Sequence, residues 1–109
     1  MPREILPGTL DLMVLRTLDT LGPTHGYGIA QRITQISDGI LDLNQGSLYP
    51  ALLKMEQRSL IRSDYGTSEN NRKARFYSLT AQGRKQLKTE IDQWLGMVRI
   101  MTRLIEAVD

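Results

Sequence analysis

Two groups of polar side chains in this 109-residue sequence have the types and spacing to do chemistry. That chemistry is hydrogen bonding and charge pairing. Gln45, Ser47, Tyr49 and Lys54 form the first group, within one short segment. A lysine and a phenol reach phosphate oxygens, whereas a hydroxyl and an amide also reach the edges of bases. Arg72, Lys73 and Arg75 form the second, opposed locally only by Glu69, with Arg62 on the expected partner strand ten residues before Arg72. A basic segment of this kind suits a phosphate backbone or a minor groove, and each phosphate neutralised releases counterion.

Covalent chemistry finds no such support. The chain has no cysteine and one histidine, His25, so thiol chemistry and cysteine-based metal sites are excluded. A lone histidine ahead of a helix reads as a cap or a packed polar group, because catalysis and metal binding both need partners. Asp38, Asp42 and Asp64 are scattered without a paired pattern, and Gly26-Tyr27-Gly28 lacks the spacing of a phosphate loop. No enzyme activity, metal or cofactor is expected. Hydrophobic residues make up 40% and the net charge is +2, a globular and mildly basic composition. No apolar run is long enough to span a membrane, and the first residues lack a signal peptide's apolar core. The expected location is the cytoplasm, where a cysteine-free chain is at home.

The two groups need elements to hold them. Leu10, Met13, Val14, Thr17, Leu18 and Leu21 recur at three and four residues and predict a first helix, stopped by Gly22-Pro23. Leu12 and Leu15 widen its apolar face. Ile29, Ile33 and Ile36 predict the buried face of a second helix, ended by Ser37-Asp38-Gly39. A third lies within Asn44 to Ser59, with Leu48, Leu52 and Met55 turned inward. Its start is open between an Asn44 cap and a Ser47 cap; the first leaves Pro50 deeper, at the cost of one hydrogen bond. The opposite side then carries Pro50, Leu53, Lys54 and Gln57, flanked by Ser47 and Tyr49. Leu60–Tyr65 and Ala74–Leu79 alternate as strands around the polar loop 66–73. Thr80 caps a last helix that, if it reaches Val108, is about 42 Å long.

Three short helices, a hairpin and a long helix make a mostly α fold with a small β-hairpin: a winged helix-turn-helix plus a long C-terminal helix. Residues 1–79 are expected to form the DNA-binding unit and residues 80–109 the dimerisation helix, packed as one compact body.

On these residues the chain resembles the PadR family of transcription regulators. The matching segments are Gly8-Thr9-Leu10, His25-Gly26-Tyr27-Gly28-Ile29-Ala30 and Asn44-Gln45-Gly46-Ser47-Leu48-Tyr49-Pro50-Ala51-Leu52. Leu60-Ile61, Arg72-Lys73-Ala74-Arg75-Phe76-Tyr77-Ser78-Leu79-Thr80 and Gly83 continue the match. The resemblance implies a winged-helix homodimer that binds an inverted-repeat operator and usually represses. It maps the recognition helix onto Ser47 to Arg58, the helix tyrosine onto Tyr49, and the basic wing onto Arg72, Lys73 and Arg75. The sequence departs from the family where a glycine often precedes the basic run; Asn71 stands there.

Leu87, Ile91, Trp94, Val98, Met101, Ile105 and Val108 repeat at four and three residues, a heptad seam suited to a dimer interface. Leu95, Met97, Ile100 and Leu104 widen it. Trp94 has two readings. It anchors the interface, or, as the resemblance to short members implies, it stacks a small planar aromatic effector with Met97 nearby. Two further readings of the chain stand beside DNA binding: a ligand-sensing dimer built around Trp94, and a winged-helix protein-interaction module.

Overall fold

The computed structural model describes residues 8–108. The expected domain limits at residues 1 and 109 lie outside them. The elements run α1 (Thr9–Leu21), β1 (Thr24–His25), α2 (Gly26–Ile36), α3 (Gln45–Gln57), β2 (Ile61–Thr67), β3 (Lys73–Leu79) and α4 (Ala81–Glu106).

Three of these helices start at a side chain that accepts a hydrogen bond from a free backbone N–H, as helix starts require. His25 Nδ1 accepts from Gly28 at 3.0 Å, Asn44 Oδ1 from Ser47 at 2.8 Å, and the Thr80 hydroxyl from Gly83 at 3.0 Å. His25 is therefore a cap. The Asn44 bond decides the start of α3: the helix begins early and holds Pro50 inside it. Pro50 cannot donate to the Gly46 carbonyl. Both residues are exposed, so water can satisfy that carbonyl.

The core is assembled from one stripe of each element. Val14, Leu15 and Leu18 of α1 meet Ile29, Ala30 and Ile33 of α2 and Leu48, Leu52 and Met55 of α3. Leu60, Ile61, Tyr77 and Leu79 close it from the hairpin, and Leu87 closes it from α4. The α3 stripe is the one its spacing predicted. The other two stripes are shifted. Leu15 is fully buried, whereas Leu21 is exposed at the end of α1, where the left-handed turn at Gly22 carries the chain away. Ile36 is 69% exposed because the core ends one turn earlier, at Ile33.

The sheet has three strands in the order β1-β3-β2, one more than the alternation predicted. Strand β1 is only two residues long, pairing Thr24 with Tyr77 and His25 with Phe76. Strands β2 and β3 pair antiparallel from Ile61↔Leu79 to Thr67↔Lys73. They consume the ends of the expected 66–73 loop and leave a short tip. There Ser68 N–H donates to the Arg72 carbonyl at 2.8 Å, and Asn71 takes a φ of 58°. Asparagine tolerates that left-handed conformation better than most residues, so it serves where a glycine is usual.

Helix α4 packs its first turns on α1 and then leaves the domain. It ends at Glu106, about 39 Å from its start. Val108 lies beyond the helix, past the extended Ala107, and is 93% exposed, so the seam it was expected to finish stops at Ile105.

Candidate nucleic-acid interface

With Leu48, Leu52 and Met55 turned inward, the other side of α3 is left free. Gln45, Ser47, Tyr49 and Lys54 are all exposed on it, with Pro50, Leu53 and Gln57 between them. The side chains with donors and acceptors thus share the surface with small and apolar contacts, a mixture that fits base edges and thymine methyl groups.

Tyr49 packs against a neighbouring helix. Its ring lies against Gly26 of α2, where a Cβ would collide with the phenol. Glycine at position 26 therefore lets Tyr49 lean on α2 while it stays 43% exposed.

The wing is built by register. Lys73, Arg75 and Tyr77 alternate on one face of β3, opposite Thr67, Tyr65 and Ser63 of β2. The Ser63 hydroxyl donates to Glu56 Oε2 of α3 at 2.7 Å, so this face is turned toward α3. Arg75 donates to the Tyr65 hydroxyl at 3.4 Å, and its guanidinium carbon sits 5.3 Å from the centre of that ring. Lys73 Nζ is 4.7 Å from the same centre. The hydrogen bond and the charge interaction with Tyr65 raise the Arg75 pKa further above its already high ordinary value. Burial pushes the Tyr77 phenol up, with Arg75 pulling the other way.

Tyr49, Arg72, Lys73 and Arg75 line one open cleft of about 860 Å³. Its far wall is His25, Tyr27, Gln31, Arg32 and Gln35 of β1 and α2. Gln45, Ser47 and Lys54 do not line this cleft; they lie on the neighbouring surface of α3. The sequence reading missed Tyr65, whose importance depends on standing opposite Arg75. It also missed the α2 wall, whose members look like an ordinary solvated face.

The seam residues divide. Leu87 is buried in the core of its own chain and is closed to a partner, whereas Ile91 is partly buried against that core and only part of it is left free. From Trp94 onward the apolar side chains are exposed. Val98, Met101 and Ile105 continue the seam, flanked by Leu95, Met97 and Ile100. Among the described residues, no group of His, Cys, Asp and Glu could hold a metal ion. No helix of theirs is long and apolar enough to cross a membrane.

The profile of the transcriptional regulator PadR-like family matches residues 14–89. Among solved structures, the chain is similar to a transcriptional regulator from Clostridium thermocellum, at 25% identity and a TM-score of 0.81, covering 91% of this chain and 95% of that one. It is also similar to a PadR family transcription regulator from Clostridium difficile, at 27% identity and a TM-score of 0.76, covering 90% and 99%. A curated relative, the "Uncharacterized protein X" of Lysinibacillus sphaericus, is 24% identical over 106 residues, 97% of this chain and 96% of that protein.

Proposed function

The chain belongs to the PadR-like family of transcriptional regulators, and from that membership we propose that it is a cytoplasmic homodimeric repressor of an inverted-repeat operator. The observation that carries the reading is the arrangement of α3 and the wing. An exposed helix face bearing Gln45, Ser47, Tyr49 and Lys54 adjoins a cleft lined by Arg72, Lys73 and Arg75. The helix enters the major groove. Gln45, Ser47 and Tyr49 face base edges, Lys54 takes a phosphate, and the wing grips the neighbouring backbone.

The free apolar half of α4 supports a two-fold dimer. Pairing of two such faces would bury the exposed side chains from Trp94 to Ile105 and set two recognition helices about 34–36 Å apart, one turn of DNA. A dimer clamped on an operator blocks access to it, which is the physical basis for repression. We assign Trp94 and Met97 to that interface, where large flexible side chains fill shared space.

Selection from a random duplex pool at two salt concentrations tests the reading. Enrichment of an inverted repeat with half-sites one helical turn apart is the expected result. On the enriched duplex, Lys54→Ala and Arg72→Ala should each weaken binding and lower the salt slope by about 1.8 per dimer, one phosphate contact being lost in each half-site, without changing the preferred sequence. Binding with no enriched sequence, or none at low salt, would favour a winged-helix protein-interaction module instead.

A further inference from the structure

We propose that Tyr65 is a positioning residue of the wing: its ring gathers Lys73 and Arg75 and presents both cations to the DNA backbone. The inference rests on the DNA-binding reading above.

Tyr65 is 64% exposed, so its ring does not serve the core. It pairs directly with Arg75 across the hairpin, and Lys73 is the diagonal neighbour on the same face. Both cations lie within the reach of the ring's quadrupole, at 4.7 Å for Lys73 and 5.3 Å for Arg75. The two ion pairs found among the described residues, Arg16–Asp19 and Arg58–Asp11, involve neither of them.

The choice of partner matters. A carboxylate would hold a cation by cancelling its charge and occupying its N–H donors. An aromatic face holds it while leaving the charge uncancelled and most donors free. Lysine and arginine lose more rotamer freedom on being fixed than almost any other side chain. A ring that orders them before the encounter removes part of that cost from the binding step. The same face of the hairpin meets α3 through Ser63 and Glu56, so the ordered cations stand beside the recognition helix.

The test uses Tyr65→Phe, which keeps the ring, and Tyr65→Leu, which removes it. In the free protein, the Lys73 ε-methylene protons should be shifted upfield by the ring current in the wild type and in Tyr65→Phe, and should return to ordinary values in Tyr65→Leu. On the enriched duplex, Tyr65→Leu should bind roughly fivefold to tenfold more weakly, while Tyr65→Phe stays within about twofold of wild type. In a Lys73→Ala/Arg75→Ala background, Tyr65→Leu should have no further effect. An undiminished loss in that background would overturn the proposal, because Tyr65 would then be touching DNA itself. Unchanged or tighter binding by Tyr65→Leu would also overturn it, showing that the ring is idle or holds the cations away. Wild-type protein that binds no duplex, with the Lys73 shift intact, would overturn the DNA-binding reading and this inference with it. Wild-type binding matched by Tyr65→Leu overturns this inference alone.

Discussion

At the scale of the residue, the wing joins one buried phenol to one exposed phenol through Arg75. Tyr77 is the buried one, and burial raises its pKa above the ordinary phenol value of 10.0. The folded chain therefore keeps a proton that the unfolded chain releases once the pH passes that value. The contribution of Tyr77 to stability is complete below pH 10.0 and falls as the pH rises through the higher folded value. Denaturant unfolding followed from pH 9 upward should show that decline, and Tyr77→Phe should flatten it. An equally steep decline in the variant would place the alkaline sensitivity elsewhere. Residue types alone marked Arg72, Lys73 and Arg75 as cations of interest. They gave no sign of Tyr65, since an exposed tyrosine in a strand becomes informative only when its cross-strand neighbour is known.

At the scale of the element, the junction between β2, β3 and α4 fixes how the wing and the last helix share one frame. The Thr80 hydroxyl caps α4 and donates to the Ser59 carbonyl at 2.6 Å, while the Thr80 N–H donates to the Leu60 carbonyl at 3.1 Å. One turn on, a Cβ at Gly83 would run into that Leu60 carbonyl, which is backbone and has little room to move. Gly83→Ala should therefore destabilise the fold by roughly 1–3 kcal/mol, in spite of the better helix propensity of alanine. A fall in melting temperature of roughly 5 °C or more is the measure, and an unchanged value would mean that α4 does not lie on Leu60. The elements themselves were largely legible. The stripe Leu48, Leu52 and Met55 and the Thr80 cap were found by spacing and residue type, because a helix repeats locally. Strand β1 was not, because two residues carry no period and Thr24 gains its role only by meeting Tyr77, far along the chain.

At the scale of the whole molecule, the chain is longer than its size requires. Its radius of gyration is 15.6 Å, against roughly 13 Å for a compact domain of this length, and its extents are 60 × 34 × 21 Å. The excess is the free half of α4, whose apolar side chains are left in water by a single copy. Met101→Glu tests the dimer directly. The side chain is half exposed in one chain, so the change costs the monomer little, yet in a paired interface it buries an uncompensated charge. Sedimentation should show the dimer dissociation constant rising roughly a hundredfold or more, with helix content unchanged. A wild-type chain that sediments as a monomer would sink the dimer reading, and a dimer indifferent to Met101→Glu would move its interface off α4.

The sequence by itself determined most of what depends on neighbours along the chain: the helices, the Thr80 cap, the inward stripe of α3, the polar face opposite it, and the basic run of the wing. These follow from periods and residue chemistry that need no partner. Only the tertiary structure decided what depends on contacts between distant segments. It added β1 to the sheet, and it also chose between the two local caps, starting α3 at Asn44. It placed Tyr65 opposite Arg75 by fixing the hairpin register. It also drew the line on α4 between Leu87, which the domain covers, and Trp94, which it does not, with Ile91 half-covered between them. Spacing can mark a helix face as apolar, but how much of that face one chain can cover is settled by the reach of its own core.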